Sequence, residues 1–370
     1  MTTIHRITVA ALLEAPRWAT AQTALVLAAH DSSPELGNPE DVTLLPDGRV
    51  VVADAPGAQV LVFSRGASAS GNPTRWGRKG GGPGEYQFPT WLGRCGARGL
   101  EVYDPIMGVR TSLDTDGHVT GTRYMRVQGG GTLGSRLSCN QRGVFVGEGP
   151  PQTPRTNRFG PFRPVVPIVL ITPSDSLARS VVRVLGADSY RWPEQVGRLG
   201  DFARSPQFAM GDSTLFLTTG DSFRIGQFTP SGTLVSLIAL TDANARPLAD
   251  SSIARVVAEQ LDRTKPQYRR ELRHTFEAMT WPEFFPTVDG LVMDEEGCLW
   301  VRFDFVGKAA WDDWHVLTQR GTIVGAIRLV GDIVPRTITS SEILGWVEDR
   351  LGKRDVVALR YRRPPDLSCH

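Results

Sequence analysis

The chain of 370 residues lacks several features that would identify an activity directly. Its four cysteines include no Cys-x-x-Cys motif, which excludes zinc ribbons and thioredoxin-like redox sites. It contains neither a Gly-x-Ser-x-Gly elbow nor a Walker loop, so neither a serine hydrolase nor a P-loop enzyme is indicated. Its six histidines are scattered without ligand spacing, which argues against a catalytic zinc site.

Excess charge and long apolar runs are also missing. The 41 basic residues nearly balance the 39 acidic ones, so we expect no nucleic-acid partner. No run approaches the roughly 20 apolar residues of a membrane span. Residues 1–22 have two interpretations, a cleaved leader or an N-terminal arm. The apolar run Ile7–Leu13 and the small residues of Ala19-Thr20-Ala21 favour a leader, while Glu14 and Pro16 interrupt the pattern.

Turn residues are abundant instead, with 39 glycines and 26 prolines, and short paired strands recur between them. Gly48, Gly99 and Gly143 open three successive pairs and lie 51 and 44 residues apart, which matches one four-stranded blade each. We expect paired strands at 49–53 and 59–63, 100–103 and 108–113, 144–146 and 166–171, 215–218 and 224–228, 299–303 and 314–318, and 343–347 and 356–361.

These pairs predict an all-β fold, a six-bladed β-propeller formed by residues 23–370 as a single domain. A short strand at residues 23–28 is expected to pair into the last blade and close the ring. Five or seven blades would each require one misread hairpin.

A helical insertion is predicted at about residues 250–280, between blades 4 and 5. Ile253, Val256, Val257 and Leu261 recur at one-face spacing, and a second helix follows Pro266. Helical excursions from a propeller cross one end of the ring, so this insertion is our candidate for a lid or recognition element.

The phrase Gly81-Gly82-Pro83-Gly84-Glu85-Tyr86 predicts a joint between two blades, with Tyr86 or Phe88 wedged between the sheets. Together with the stretches 38–54 and 286–302, which share an Asp-Gly or Glu-Gly turn before an apolar strand, it makes the chain resemble bacterial six-bladed propellers of the NHL-repeat and TolB-like kind. The resemblance covers about two thirds of the chain and implies a fold rather than an activity. It also implies an extracytoplasmic location, periplasmic or secreted.

Two cysteines occupy equivalent places in successive repeats, Cys95-Gly-Ala-Arg-Gly and Cys139-Asn-Gln-Arg-Gly. We favour two buried free thiols, since a disulfide requires Cα atoms closer than about 7 Å. A disulfide between Cys95 and Cys139 is the alternative, and it would imply an oxidising compartment.

Enzymatic propellers of the regucalcin and gluconolactonase type hold a divalent metal with Glu, Asn and Asp side chains from different blades. The oxygen-bearing candidates for such a cation, for example calcium, are Glu40, Asp104, Glu148 and Asp304. No asparagine recurs at a matching place in successive blades, so we expect no cofactor and keep a metal-dependent hydrolase or lactonase as an alternative. For Asp104 a turn-capping role is favoured.

Our leading functional prediction is a propeller that binds a small molecule, glycan or peptide at one mouth of the ring, under the helical insertion. The predicted ligand-binding residues are aromatic or charged and come from the last third of the chain: Trp311, Trp314, His315, His274, Arg302 and Asp304. A core role for the tryptophans and an ion pair for Arg302 and Asp304 are the structural alternatives. A protein-interaction scaffold is the third hypothesis, and a monomer is expected.

Overall fold

The computed structural model describes residues 2–20, 25–28, 36–65, 72–96, 99–152, 160–173, 175, 177–191, 196–198, 202–305, 313–329, 333–349, 351–364, 367 and 369. It confirms the all-β, six-bladed propeller. The chain begins with an arm, followed by the strand that joins the last blade: β1 (Thr3–Thr8), α1 (Val9–Leu13) and β2 (Leu25–Ala28).

Blades 1 and 2 are antiparallel four-stranded sheets joined by the glycine-rich linker. Blade 1 comprises β3 (Pro39–Leu44), β4 (Val50–Asp54), β5 (Gln59–Phe63) and β6 (Thr74–Trp76). The linker contains β7 (Arg78–Lys79) and β8 (Glu85–Tyr86). Blade 2 comprises β9 (Trp91–Gly93), β10 (Leu100–Asp104), β11 (Val109–Leu113) and β12 (Val119–Tyr124).

Blade 3 has a fifth strand that the sequence pattern did not predict, β13, which runs parallel to its outermost strand. The blade comprises β13 (Arg126–Val127), β14 (Leu137–Cys139), β15 (Phe145–Glu148), β17 (Val165–Ile171) and β18 (Leu177–Leu185). A small separate sheet contains β16 (Gly160–Phe162), β19 (Ser189–Arg191) and β20 (Val196–Arg198).

The last three blades contain the helical insertion and the ring closure. Blade 4 comprises β21 (Gln207–Met210), β22 (Leu215–Thr218), β23 (Arg224–Phe228), β24 (Leu234–Thr241) and, parallel to β24, β1. The insertion contains α2 (Asp250–Arg263), a 3-10 turn (Pro266–Tyr268) and α3 (Arg269–Glu277). Blade 5 comprises β25 (Val288–Met293), β26 (Leu299–Phe303), β27 (Asp313–Leu317) and β28 (Ile323–Arg328). Blade 6 comprises β29 (Val334–Ile338), β30 (Glu342–Glu348), β31 (Arg354–Arg360) and β2.

The hydrophobic core lies between neighbouring blades. The glycine-rich linker contributes to it, because the buried Tyr86 packs between blades 1 and 2 as predicted, while Phe88 stays partly exposed. The Glu85 carboxylate holds the linker by accepting hydrogen bonds from the backbone N–H groups of Gly81 (3.0 Å) and Gly82 (2.9 Å). Gly77, at φ +93°, leaves room for the Tyr86 ring, which a Cβ atom would approach to within 2.4 Å.

The N-terminal arm lies against blades 4 and 5. Leu12 is fully buried in the core between these blades, and Trp18 packs in the next core, where its ring stacks on Tyr361 with centroids 5.9 Å apart. The arm therefore contributes to two of the interblade cores.

The strand directions give the ring two distinct faces. Loops that join the second and third strands of each blade lie on one face, which we call the insertion face. The helical insertion leaves β24 and returns to β25 on this face, and Arg263 of α2 reaches Glu348 of blade 6 at 3.0 Å. Loops that join the first and second strands lie on the opposite face, which we call the cysteine face.

The cysteine face contains both disulfides. Cys95 of blade 2 is bonded to Cys139 of blade 3, with Cα atoms 5.6 Å apart, and Cys298 of blade 5 is bonded to Cys369 near the C-terminus. Our preference for free thiols at Cys95 and Cys139 was therefore wrong. Equivalent loops of neighbouring blades converge towards the axis, and this brings the two Cα atoms within bonding range.

Candidate functional site

The innermost strands of all six blades surround a central tunnel of about 560 Å³. These strands are β3, β9, β14, β21, β25 and β29. In β3, Asp41 and Thr43 alternate with Val42 and Leu44, so the first two line the tunnel while Val42 packs between blades 6 and 1. In β3, the polar half of an alternating strand therefore lines the tunnel.

Three charged side chains meet in this tunnel: Asp41 of blade 1, Arg136 just before β14 of blade 3, and Arg336 of blade 6. Each stands near the start of an innermost strand, which places all three towards the insertion face. Their charges interact, since Arg336 lowers the pKa values of both Asp41 and Arg136. We call this group the arginine cluster.

Asp41 is the acid of the cluster, and the charges of Glu40 and Glu148 also act on its members. Its carboxylate accepts hydrogen bonds from the backbone N–H groups of Leu92 (2.9 Å) and Val42 (3.0 Å). Burial raises the pKa of Asp41 to about 6, although Arg336 and the two amides partly oppose this shift. The carboxyl group therefore changes its charge close to neutral pH.

Arg136 crosses from blade 3 towards blade 4. Its guanidinium donates a hydrogen bond to the Gln207 side chain and lies 5.5 Å from the centre of the Phe208 ring. Burial and, after it, the positive charge of Arg336 lower the pKa of Arg136 to about 10. The folded chain thus holds a cation in a place that disfavours positive charge.

Arg336 stands on the opposite blade of the ring. Its guanidinium lies 4.0 Å from the centre of the Trp346 ring, and its buried Nε has no hydrogen-bond partner among the described residues. Burial lowers the pKa of this side chain as well. Within the part of the chain that the structure describes, neither Arg136 nor Arg336 forms an ion pair with a carboxylate. Two guanidinium groups with free donors form a site that can bind an anion.

An ion pair crosses the mouth of the tunnel on the cysteine face. Arg94 of blade 2 reaches Glu295 of blade 5 at 3.0 Å, and these blades stand opposite each other in the ring. Arg94 also donates to the backbone oxygen of Leu44 at 3.3 Å. Burial raises the pKa of Glu295, and the charge of Arg94 opposes this rise. Both partners stand beside a disulfide, because Arg94 precedes Cys95 and Glu295 lies near Cys298.

The structure separates several of the ligand-binding residues predicted from the sequence. Trp314 is only 3% exposed and packs between blades 5 and 6, and Arg302 lies 5.6 Å from its ring and 2.7 Å from Asp289. His315 is buried beside Phe303 in the same sheet.

The other predicted residues lie elsewhere. Asp304 forms a bidentate ion pair with Arg246 of the insertion, at 2.7 and 2.8 Å. His274 stands exposed on α3, 3.2 Å from Glu277. Trp311 lies outside the described residues. Of the predicted set, the structure brings Trp314 and Arg302 into contact, and a ligand at these residues stays a prediction.

Three of the four predicted metal candidates form separate contacts. Asp104 accepts backbone hydrogen bonds from Gln87 and Phe88, and also from Ile106 and Met107, which is the expected capping role. Glu40 pairs with Arg354 at 3.1 Å, and Asp304 pairs with Arg246. Among the described residues no three His, Cys, Asp or Glu side chains converge, so this donor set does not fit an oxygen cage for a cation.

The sequence analysis did not predict the arginine cluster, because only the longer middle strands of the blades have a clear pattern. The innermost strands β9 and β14 have three residues each, too few for a clear alternating pattern. The sequence nonetheless contained a pattern that could have indicated the cluster. Asp41, Arg136 and Arg336 each stand seven or eight residues before a predicted strand pair, next to apolar residues.

Comparisons with known proteins give likeness of fold only. Neither a protein-family model nor a curated protein matches the chain. Among solved structures, it is similar to a gluconolactonase from Xanthomonas campestris, with 14% identity over 94% of this chain and 95% of that one, and a TM-score of 0.49. It is also similar to a virginiamycin B lyase from Staphylococcus aureus (12%, covering 92% and 99%, TM-score 0.41) and to a calcium-binding protein, regucalcin, from Agrobacterium tumefaciens (12%, covering 100% of both, TM-score 0.37). The described residues include no helix long and apolar enough to cross a membrane.

Proposed function

We propose that this propeller binds a small anionic molecule, such as an organic acid, in its central tunnel. The observation that supports this most directly is the arginine cluster, in which Arg136 and Arg336 converge on the axis without carboxylate partners among the described residues. Burying an unpaired cation is energetically unfavourable. A ligand that supplies a negative charge would therefore stabilise the two buried guanidinium groups.

The tunnel volume sets the size of the ligand. About 560 Å³ falls within the range of small-molecule sites and is too narrow for a folded domain. The ligand would enter from the cysteine face, past Arg94 and Glu295, and place its anionic group between the two guanidinium groups. Guanidinium groups favour planar carboxylate or tetrahedral phosphate and sulfate, which they can hold by paired hydrogen bonds.

Isothermal titration with citrate, malate, sulfate and phosphate tests this function. We expect at least one of these anions to bind, and Arg136→Gln to weaken its binding about tenfold or more, because a charge-assisted hydrogen bond contributes about 1.5–3 kcal/mol. Arg320→Gln is the matched control, since Arg320 is an exposed arginine in the turn after β27. Equal losses in both variants would indicate general charge attraction and contradict a tunnel site.

Hydrolysis in the same tunnel is the second candidate function, and the observation that favours it is Asp41. A carboxyl group with a pKa of about 6 is suited to accept a proton near neutral pH. Assays with δ-gluconolactone and p-nitrophenyl acetate would test it. We expect a rate that rises with pH through about 6 and is lost in Asp41→Asn, whereas a rate unchanged in that variant would exclude this role for Asp41.

We also propose an extracytoplasmic location. Two disulfides tie all four cysteines of the chain, and such bonds persist in oxidising compartments. Fractionation of the native host, with thiol labelling before and after reduction, would test this. Free thiols in the native protein, or its recovery with cytosolic markers, would contradict the proposal.

A further inference from the structure

A second cavity, of about 320 Å³, lies on the insertion face between blade 4, the small sheet and the helical insertion. We call it the insertion cavity and define it by Asp188, Arg204, Asp221, Trp281 and Phe284, which line it. It shares no lining residue with the tunnel. The two sites can therefore be changed independently.

One wall of this cavity is a closed ring of four charged side chains. Arg204 lies 2.8 Å from Asp188 and 3.2 Å from Asp221. Arg163 completes the ring, because it lies 3.6 Å from Asp188 and also pairs with Asp221. Two cations and two anions leave no net charge on this wall. The other charged residue of the lining is the exposed Glu283, so the cavity offers no unpaired cation to an anionic ligand.

The same ring still offers hydrogen bonds to a neutral ligand. The side chains of Arg204 and Asp221 are 37% and 32% exposed, and they stand side by side at the cavity. A guanidinium donates hydrogen bonds and a carboxylate accepts them. A ligand with neighbouring hydroxyl groups can accept from Arg204 and donate to Asp221 at once.

The lining of the cavity also includes aromatic side chains. Phe284 is 44% exposed, and among the described residues its ring has no aromatic partner. Trp281 is half-buried and held in place, since it stacks on Phe276 at 6.0 Å and meets Phe202 edge-on at 6.0 Å. An exposed ring beside a fixed one provides an apolar platform for the C–H face of a ligand.

Segments outside the six plain blades support the aromatic residues of this cavity. Val256 of α2, Phe202 and Phe285 form their own buried cluster beneath it. The Tyr190 hydroxyl of the small sheet donates to the backbone oxygen of Ala278 at 2.9 Å and joins the two inserted segments. The wall that carries Trp281 and Phe284 is thus supported by packing of its own.

We infer that the insertion cavity binds a neutral saccharide, one pyranose ring at a time. A pyranose combines an apolar C–H face with neighbouring hydroxyl groups, and the lining of the cavity combines aromatic side chains with a paired donor and acceptor. The volume also accommodates a single sugar ring. This site does not depend on the anion bound in the tunnel.

Saturation-transfer NMR and isothermal titration with D-glucose, D-galactose, D-mannose, N-acetylglucosamine and glucuronate test the inference on the full chain. We expect at least one neutral sugar to bind, and glucuronate to bind no better than glucose. Phe284→Ala should weaken binding of that sugar about tenfold, while Phe284→Tyr, which keeps the ring, should retain it. Tyr268→Ala, an exposed aromatic change on the same insertion outside the cavity, should have no effect.

Three outcomes would overturn the inference. They are no binding of any neutral sugar at about 10 mM, full binding in Phe284→Ala, or equal loss in Phe284→Ala and Tyr268→Ala. Arg136→Gln separates this site from the tunnel, because it should leave the sugar affinity unchanged even if the anion proposal fails.

Discussion

The tunnel and the insertion cavity use the same residue types in opposite states of pairing. In the tunnel, Arg136 and Arg336 face the axis without carboxylate partners among the described residues. In the cavity, Arg163 and Arg204 are paired with Asp188 and Asp221. The presence of arginines alone therefore does not define an anion site. The pairing state decides whether a ligand must supply charge or only hydrogen bonds.

Removal of the Cys95–Cys139 disulfide should cause the largest change in stability. It should also weaken binding in the tunnel but not in the insertion cavity. In Cys95→Ser/Cys139→Ser, we expect the free energy of unfolding to fall by about 2–4 kcal/mol, because the bond closes a loop of 44 residues. Anion affinity should fall as well, since β9 lines the tunnel. Urea denaturation followed by titrations at low temperature would measure both. A loss of sugar binding with unchanged anion binding would reverse our assignment of the regions.

Neutralising an arginine should lower stability in the insertion cavity but not in the tunnel. Arg204→Gln removes one ion-pair partner of both Asp188 and Asp221. We therefore expect the free energy of unfolding to fall by about 1–2 kcal/mol. Arg136→Gln removes a cation that burial disfavours, so stability should be unchanged or rise by about 1 kcal/mol while anion binding is lost. Urea denaturation of both variants is the measurement. A clear destabilisation by Arg136→Gln would show that this arginine is structural.

Ligand binding at the two sites should also differ in its dependence on pH. Asp41 has a folded-state pKa of about 6, above its ordinary value of 3.8, so the folded state holds its proton longer than the unfolded one. Stability from this group should fall as pH rises from about 4 to about 6 and then level off. Ionised Asp41 also repels an anion between Arg136 and Arg336. We therefore expect sulfate affinity to fall about tenfold between pH 5 and pH 7.

Titration of sulfate at several pH values, in the native chain and in Asp41→Asn, checks this. The variant should bind sulfate with little change across the range, because it lacks the titrating group. Sugar binding in the insertion cavity should stay constant as well. A fall of equal size in Asp41→Asn would show that another group causes the pH dependence.

Removal of the ion pair between Arg94 and Glu295, across the tunnel mouth, should have the smallest effect on anion affinity. Arg94 and Glu295 are each about one-third exposed, and such pairs contribute about 0–1 kcal/mol. In Glu295→Gln we expect faster anion association with an affinity changed less than about threefold. Stopped-flow binding would measure the rates. Glu259→Gln, which removes a comparable surface pair on α2, is the control and should leave both rates unchanged.

The fold was largely predictable because the middle strands are five to seven residues long in most blades and form apolar runs bounded by turn residues, as β4 and β30 do. Ring closure followed from a lone strand at the start and a short last repeat, and β2 does pair with β31. The fifth strands of blades 3 and 4 were not predictable, since β13 has two residues and β1 pairs with a strand more than 200 residues away.

The candidate sites were less accessible to sequence reasoning for a physical reason. Arg163 and Asp221 are 58 residues apart, and Asp41 and Arg336 come from the first and last blades. Only closure of the ring and folding of the insertion bring such residues together. A pattern within one repeat can predict that a side chain faces the axis, but not which charges from other blades meet it there.

Anomalous diffraction from crystals soaked in selenate would show directly whether the arginine cluster binds an anion. Selenate has the shape and charge of sulfate, and the selenium signal gives its position without model bias. We predict a selenium peak in the tunnel within hydrogen-bond distance of Arg136 and Arg336, and none at the balanced ring of the insertion cavity. A tunnel without a peak, with selenate bound only at surface arginines or at the ring, would contradict the account.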